Sequence, residues 1–160
     1  MQEITIGCAA VEDAAEILAV QQAAYQSEAE LYQDWSIPPL TQTLTELQQE
    51  LATITVLKAS LDSGLVGSVR AALQDDGSVA IGRLIVHPDC QGQGIGSRLM
   101  AAIEAAFPNA ARFELFTGSR SAGNIRLYEK LGYRIFERKT LSPQVELVFM
   151  EKCGNTAGGR

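Results

Sequence analysis

A chain of 160 residues, 46% of them apolar, has the length for one domain with one real core. Its net charge of −6 disfavours generic nucleic-acid binding, and no run of about 18 apolar residues reads as a membrane span. The start, "MQEITIGCAAVED", lacks the charged-then-apolar order of a signal peptide, and Cys8, Cys90 and Cys153 fit neither a disulfide framework nor a zinc ligand set, so a reducing cytoplasm is expected.

In chain order, "EITIGCA" alternates apolar and polar residues as a half-buried strand does. "VEDAAEILAVQQAAY" follows, with Val11, Ala14, Leu18 and Tyr25 on one helical face. "QSEAELYQDWSIPPL" reads as irregular, broken by Pro38 and Pro39. "LTQTLTELQQEL" spaces Leu44, Leu47 and Leu51 as a helix does, and Thr43 with Glu46 predicts a capping box. The pattern then switches to strands: "TITVLKA", "LVGSVRAAL" and "VAIGRLIVH", joined by turns at Asp62-Ser63-Gly64 and Asp75-Asp76-Gly77. Such short links predict an antiparallel meander. A glycine-rich loop and a helix to Phe107 come next, then the strand "RFELFT". The helix "SAGNIRLYEKL" ends at Gly132, a good C′ residue, and "YRIFERK" and "VELVFM" close as strands. Residues 1–152 read as a single domain, and residues 153–160 as a frayed tail. The order β-α-α-β-β-β-α-β-α-β-β predicts an α/β fold: a mixed, largely antiparallel central sheet of about seven strands flanked by four helices.

Charge is unevenly spread. Residues 1–60 carry nine acidic groups and one base, Lys58, whereas residues 61–160 carry ten acids and twelve bases. Either acids solvate helix surfaces in the first part, or the two parts face ligands of opposite charge.

The stretch "RLIVHPDCQGQGIGSRLM" stands out. Gln91-Gly92-Gln93-Gly94-Ile95-Gly96 follows a strand and opens a helix with the apolar stripe Ile95, Leu99, Ile103 and Phe107. A helix N-terminus offers unpaired N–H groups and partial positive charge, and glycines remove the Cβ atoms that would block a large anion. The dinucleotide fingerprint G-x-G-x-x-G fails, because the third glycine position falls on Ser97 or Leu99. The ATP-binding P-loop fails for want of its lysine.

With its Gln-x-x-Gly-x-Gly spacing after "VHP", this stretch resembles the acetyl-coenzyme A motif of the GNAT superfamily of N-acetyltransferases. "NIRLYEKLGY" resembles the second signature of that superfamily, and the element order is similar from end to end. The resemblance implies that the backbone of Leu84, Ile85 and Val86 pairs with the pantetheine arm of acetyl-coenzyme A. It also implies that Gln91, Gly92, Gln93, Gly94, Ile95, Gly96 and Ser97 hold the pyrophosphate. Position 90, usually aromatic in this motif, is Cys90 here. His87, the only histidine, reads as a surface spacer before Pro88 rather than a base.

Ser121, Asn124 and Tyr128 share one helical face. In similar enzymes the tyrosine protonates the departing thiolate, so the resemblance implies that role for Tyr128. Many members carry an asparagine seven residues before that tyrosine, where this chain has Ser121 and places its asparagine at 124. Both are candidates for the cofactor contact. The proton of the acceptor ammonium needs a carboxylate from no fixed place. Candidates are Glu114, which shares a strand face with Phe116, near where some relatives carry their base, and Glu28, Glu30 and Asp34. These last three surround Tyr32 and Trp35 and suit a cationic acceptor by charge and cation–π contact. The expected function is transfer of an acetyl group from acetyl-coenzyme A to a primary amine by direct attack in a ternary complex, with no metal. The partners are then acetyl-coenzyme A and an amine, with neither nucleic acid nor membrane, and with room for a homodimer. The alternatives are acetylation of a protein N-terminus and a non-catalytic coenzyme A-binding sensor.

Overall fold

The computed structural model describes residues 3–154. Seven strands form one sheet in the order β1-β2-β3-β4-β5-β7-β6. β1 (Thr5–Cys8), β2 (Thr55–Leu61), β3 (Gly64–Leu73) and β4 (Ser78–Val86) pair antiparallel, so the meander read from the two short turns is present. At the second turn the Ser78 amide donates to Asp76 Oδ1 at 2.9 Å, while Gly77 takes φ 85°. β5 (Arg112–Gly118) joins β4 in the single parallel pair, and β7 (Val145–Cys153) and β6 (Arg134–Ser142) continue antiparallel. β7 runs to Cys153, so that residue belongs to the sheet, and residues 155–160 of the expected tail lie outside the described residues.

The four expected helices are α1 (Ala14–Ala24), α4 (Leu44–Thr53), α5 (Ile95–Ala105) and α6 (Ala122–Lys130). The segment read as irregular contains two short ones, α2 (Gln26–Tyr32) and α3 (Pro38–Thr41). Pro38 and Pro39 open α3 instead of breaking a helix, because a first turn has no carbonyl for their missing N–H to bond. α2 ends where Gln33 turns left-handed at φ 53°. The capping box of α4 forms as read: Glu46 N–H donates to Thr43 Oγ1 at 3.1 Å, and Thr43 N–H to Glu46 Oε1 at 2.9 Å.

Two apolar layers hold helices to the sheet. Ile95, Leu99 and Ile103 of α5 pack on Val69, Val79, Ile81 and Phe113, as the stripe predicts. On the opposite face Ile17 and Val20 of α1 and Leu47 and Leu51 of α4 pack on Val56 and Ile85. The buried face of α1 is rotated from the expected one. It presents Ala14, Ile17, Val20 and Gln21, while Val11 is exposed. The cause is Arg70 of β3, 4% exposed, which enters this layer and needs acceptors. It pairs with Glu50 at 2.6 Å and donates to the Gln21 side chain, whose amide donates in turn to Pro39 O and Gln42 Oε1. Lys58, the one base of the first sixty residues, is tied to Asp13 at 3.0 Å. That aspartate also accepts from the Ala10 amide, the main reason its carboxyl lies below the usual range.

Candidate active site

β4 and β5 share only three register pairs, Ser78 with Arg112, Val79 with Phe113 and Ala80 with Glu114. Beyond Ala80 the two strands separate. Opposite Val69 the register of β4 slips, and Arg83 takes φ 50°, as an extra residue in a ladder requires. Ile85 and Val86 therefore have strand partners on the β3 side, and the backbone of Leu84 to Val86 has none among the described residues on its β5 side. A cavity of about 640 Å³ occupies the gap.

The end of β4 leads straight to the glycine loop. His87 donates its amide to Val66 O at 2.8 Å, and its Nδ1 accepts from the Asp89 amide at 3.1 Å. The histidine thus caps the 3-10 turn Pro88–Cys90 and is not part of the cavity wall, in keeping with a spacer. Gly92 and Gly94 take φ 79° and 80°, the left-handed region where a Cβ is penalised, and Gly94 is the N-cap of α5. The helix's first intrahelical bond runs from Arg98 N–H to Gly94 O at 3.1 Å, so the amides before it have no carbonyl of their own helix to bond. A Cβ on Gly92 or Gly94 would stand in open space, whereas one on Gly96 would touch Leu127 at 3.6 Å. The first two glycines thus shape the loop by their left-handed backbone, while at Gly96 a Cβ would make only an ordinary contact with Leu127.

The cavity brings together most of the residues singled out from sequence. Leu84, Ile85 and Val86 form one wall; Gln91, Gly92, Gly94, Ile95, Gly96 and Ser97 form its floor; Ser121 and Asn124 stand opposite. Gln93 is not among the lining residues. Of the three acids expected to face an acceptor, Glu28 lines the cavity, while Glu30 does not, and Asp34 accepts from the amide and hydroxyl of Ser36. Glu114 is held by Arg112 at 3.0 Å, and Phe116, 58% exposed, stacks on Phe149. Tyr128 is not among the lining residues either: it is buried beside the wall residue Leu127, its ring edge-on to Tyr133 at 6.1 Å. Burial raises its phenol well above the ordinary range, and the nearby Tyr25 and Glu28, both in the wall, push it further.

The sequence does not announce how the Glu28 side of the cavity is assembled. The Arg120 amide donates to Tyr32 Oη at 2.9 Å, which orients the Tyr32 hydroxyl proton toward Ser121 Oγ, also at 2.9 Å. Ser121 in turn donates to Glu28 Oε1 at 2.5 Å. The result is a directed chain from the β5–α6 turn to Glu28, the one carboxylate among the described residues of the cavity wall. It exists because residue 118 is glycine: a Cβ there would fall 1.9 Å from Tyr32 Oη. Tyr25 and Arg120 also line the cavity. The helical periodicity puts Tyr25 only on an apolar face, and the glycine before Ser119-Arg120-Ser121 is the available signal for a close approach. Among the described residues, no three His, Cys, Asp or Glu stand close enough to hold a metal ion.

Solved structures share this fold. The ribosomal-protein-S18-alanine N-acetyltransferase of Escherichia coli has a TM-score of 0.80 at 17% identity, over 98% of this chain and 97% of that one. An N-acetyltransferase of Thermoplasma acidophilum in complex with coenzyme A has a TM-score of 0.79 at 18% identity, over 94% and 99%. A phosphinothricin acetyltransferase of Sinorhizobium meliloti in complex with acetyl-coenzyme A has a TM-score of 0.79 at 15% identity, over 98% and 92%. No curated protein sequence matches the chain. The model of the acetyltransferase (GNAT) family matches residues 15–133, three quarters of the chain, and the chain belongs to that family.

Proposed function

We propose that this chain, read as one domain over residues 1–152, transfers an acetyl group from acetyl-coenzyme A to a primary amine by direct attack in a ternary complex. The observation that carries the reading is the open edge of β4 leading into the left-handed glycines at the start of α5. The backbone of Leu84–Val86 suits an extended amide-bearing arm, which it would bind as an added strand. Gln91 to Ser97 suit a pyrophosphate, by their amides and by the dipole of α5. Two structural neighbours hold coenzyme A or acetyl-coenzyme A, which supports the same cosubstrate here. When bound, acetyl-coenzyme A would supply an activated acyl carbon and a thiol leaving group.

Tyr128 would keep its proton until sulfur develops charge, then give it up. A thiol has a pKa near 8.5 and a free phenol about 10, and burial holds this phenol higher still. Glu28 is the carboxylate we assign to the amine. Removing a proton from an ammonium of pKa about 10.4 at pH 7 costs about 4–5 kcal/mol, and Glu28 both draws the cation in and accepts that proton. The expected attraction of a cationic amino group then rests on Glu28, since Glu30 is not in the wall and Asp34 is bound to Ser36. Three free cysteines suit a reducing compartment, and we assign the cytoplasm on that composition. Among the described residues no helix is long and apolar enough to cross a membrane.

The test is calorimetric titration with acetyl-coenzyme A, followed by an acceptor screen that reads release of the free thiol. Saturable binding with turnover on at least one primary amine supports the reading. Binding without turnover on any amine points to a sensor module instead, and absence of binding removes the cleft assignment. Because Tyr128 stays protonated, the rate should rise with pH as the amine loses its proton, with no falling limb from this phenol below about pH 10.

A further inference from the structure

A second cavity, of about 410 Å³, lies between the β5–α6 turn and the β6–β7 hairpin. Tyr32, Ser119, Arg120, Thr140, Ser142 and Glu146 are in its wall, and Arg120 lines the main cleft as well. The one carboxylate in this wall, Glu146, sits 3.6 Å from Arg138. Arg120 has no carboxylate within 4.0 Å among the described residues. Its guanidinium rests on the Tyr32 ring, 5.7 Å from the centroid, and its amide is bound to the hydroxyl of the same tyrosine. Tyr32 is 4% exposed, so the arginine is held at backbone and side chain by a fixed group while its fork of donors stays free. In the same wall the Ser142 hydroxyl is buried without a hydrogen-bond partner.

We propose that this second cavity is a carboxylate subsite for the acceptor, with Arg120 as its anion-binding group. The acceptor is then a zwitterion, an amino acid or a similar amine that carries a carboxylate. This rests on the reading of the main cleft as a transferase site. The hydrogen-bonded chain runs from Glu28 to the backbone amide of Arg120, and the side chain of that arginine lines both cavities. Glu28 offers negative charge to the ammonium, and Arg120 offers a guanidinium that takes a carboxylate by two parallel bonds. A peptide N-terminus presents a neutral amide where an amino acid presents its carboxylate, and leaves Arg120 without its counter-charge.

The experiment has two readouts. In the first, the complex of the enzyme with coenzyme A is titrated with a panel of N-acetyl-L-amino acids and with their amides. At least one acid should bind about 10- to 100-fold more tightly than its amide, the scale of a hydrogen bond to a charged group. Arg120→Gln should erase that difference, and Arg120→Lys should restore part of it. Equal binding of acids and amides across the panel overturns the proposal. So does an Arg120→Gln variant that weakens coenzyme A instead, because the arginine would then be reading a cofactor phosphate. The second readout is thiol release with free amino acids and their amides as acceptors. A lower KM for the acids, lost in Arg120→Gln, supports the subsite, whereas a lower KM for the amides counts against it. Absence of thiol release with every amine sinks the transferase reading, while a preserved preference for acids in the titration still supports the subsite.

Discussion

The two ends of the main cleft are built on different principles. The end we assign to the cofactor is made of backbone: a strand edge at Leu84–Val86, two left-handed glycines and the first turn of α5, all within residues 84–97. The end we assign to the acceptor is made of side chains from α2 and the β5–α6 turn, with Glu28 and Ser121 separated by 93 positions in sequence. A backbone site tolerates change in its side chains and fails when a Cβ is added. A side-chain site tolerates change in its backbone neighbours and fails when one partner is deleted. An enzyme that keeps one cosubstrate and varies the other is served by this division.

Variants can break or sharpen that contrast. The largest effect is expected from Gly94→Val, which forces a β-branched residue into φ 80° at the head of α5. Binding of acetyl-coenzyme A should vanish in a calorimetric titration while circular dichroism shows the fold retained; undiminished affinity would mean the loop is no cradle. Next comes Tyr128→Phe, for which kcat should fall about 10²- to 10⁴-fold with little change in cofactor affinity. An unchanged rate would remove the phenol from the chemistry. Glu28→Gln should lower kcat/KM for the amine about 100-fold at neutral pH, the lower end of the same range, and leave the KM of acetyl-coenzyme A in place. If instead both KM values move together, the two ends are not separable. Smaller still is Gly118→Ala, which expels Tyr32 from its seat and should cost about 1–3 kcal/mol of stability in urea unfolding, as overpacking does. Tyr32→Phe should lose the hydroxyl's share alone, about 1 kcal/mol.

The contrast also explains what could be read from the sequence. The strand-turn-strand run to β4, the capping box at Thr43 and the glycine loop are local patterns in which neighbours in sequence are neighbours in space. The acceptor end was legible only as a list of acids, since nothing near Glu28 announces Ser121. Of Glu28 and Glu30, the periodicity of a seven-residue helix turns only Glu28 into the wall, Asp34 lies past the end of that helix, and the helix itself is hidden behind a reading of the segment as irregular. The face of α1 was misread for a related reason. Gln21 is polar and looks solvent-facing until Arg70, far along the chain on β3, is known to lie beneath it. Pro38 and Pro39 read as breakers because position within a helix, not residue type alone, decides what a proline does.

The sheet itself is two plates, β1 to β4 and β5-β7-β6, joined by three residue pairs at one end of a seam. A ligand lying along Leu84–Val86 would extend that seam, doing for the plates what a missing strand would do. Occupancy and mechanical cohesion are then the same quantity seen twice. At a concentration 100 times its Kd, such a ligand stabilises the folded state by about 2.7 kcal/mol. That gain should be concentrated at the seam: hydrogen exchange at the amides bordering the gap should slow far more than exchange within either plate.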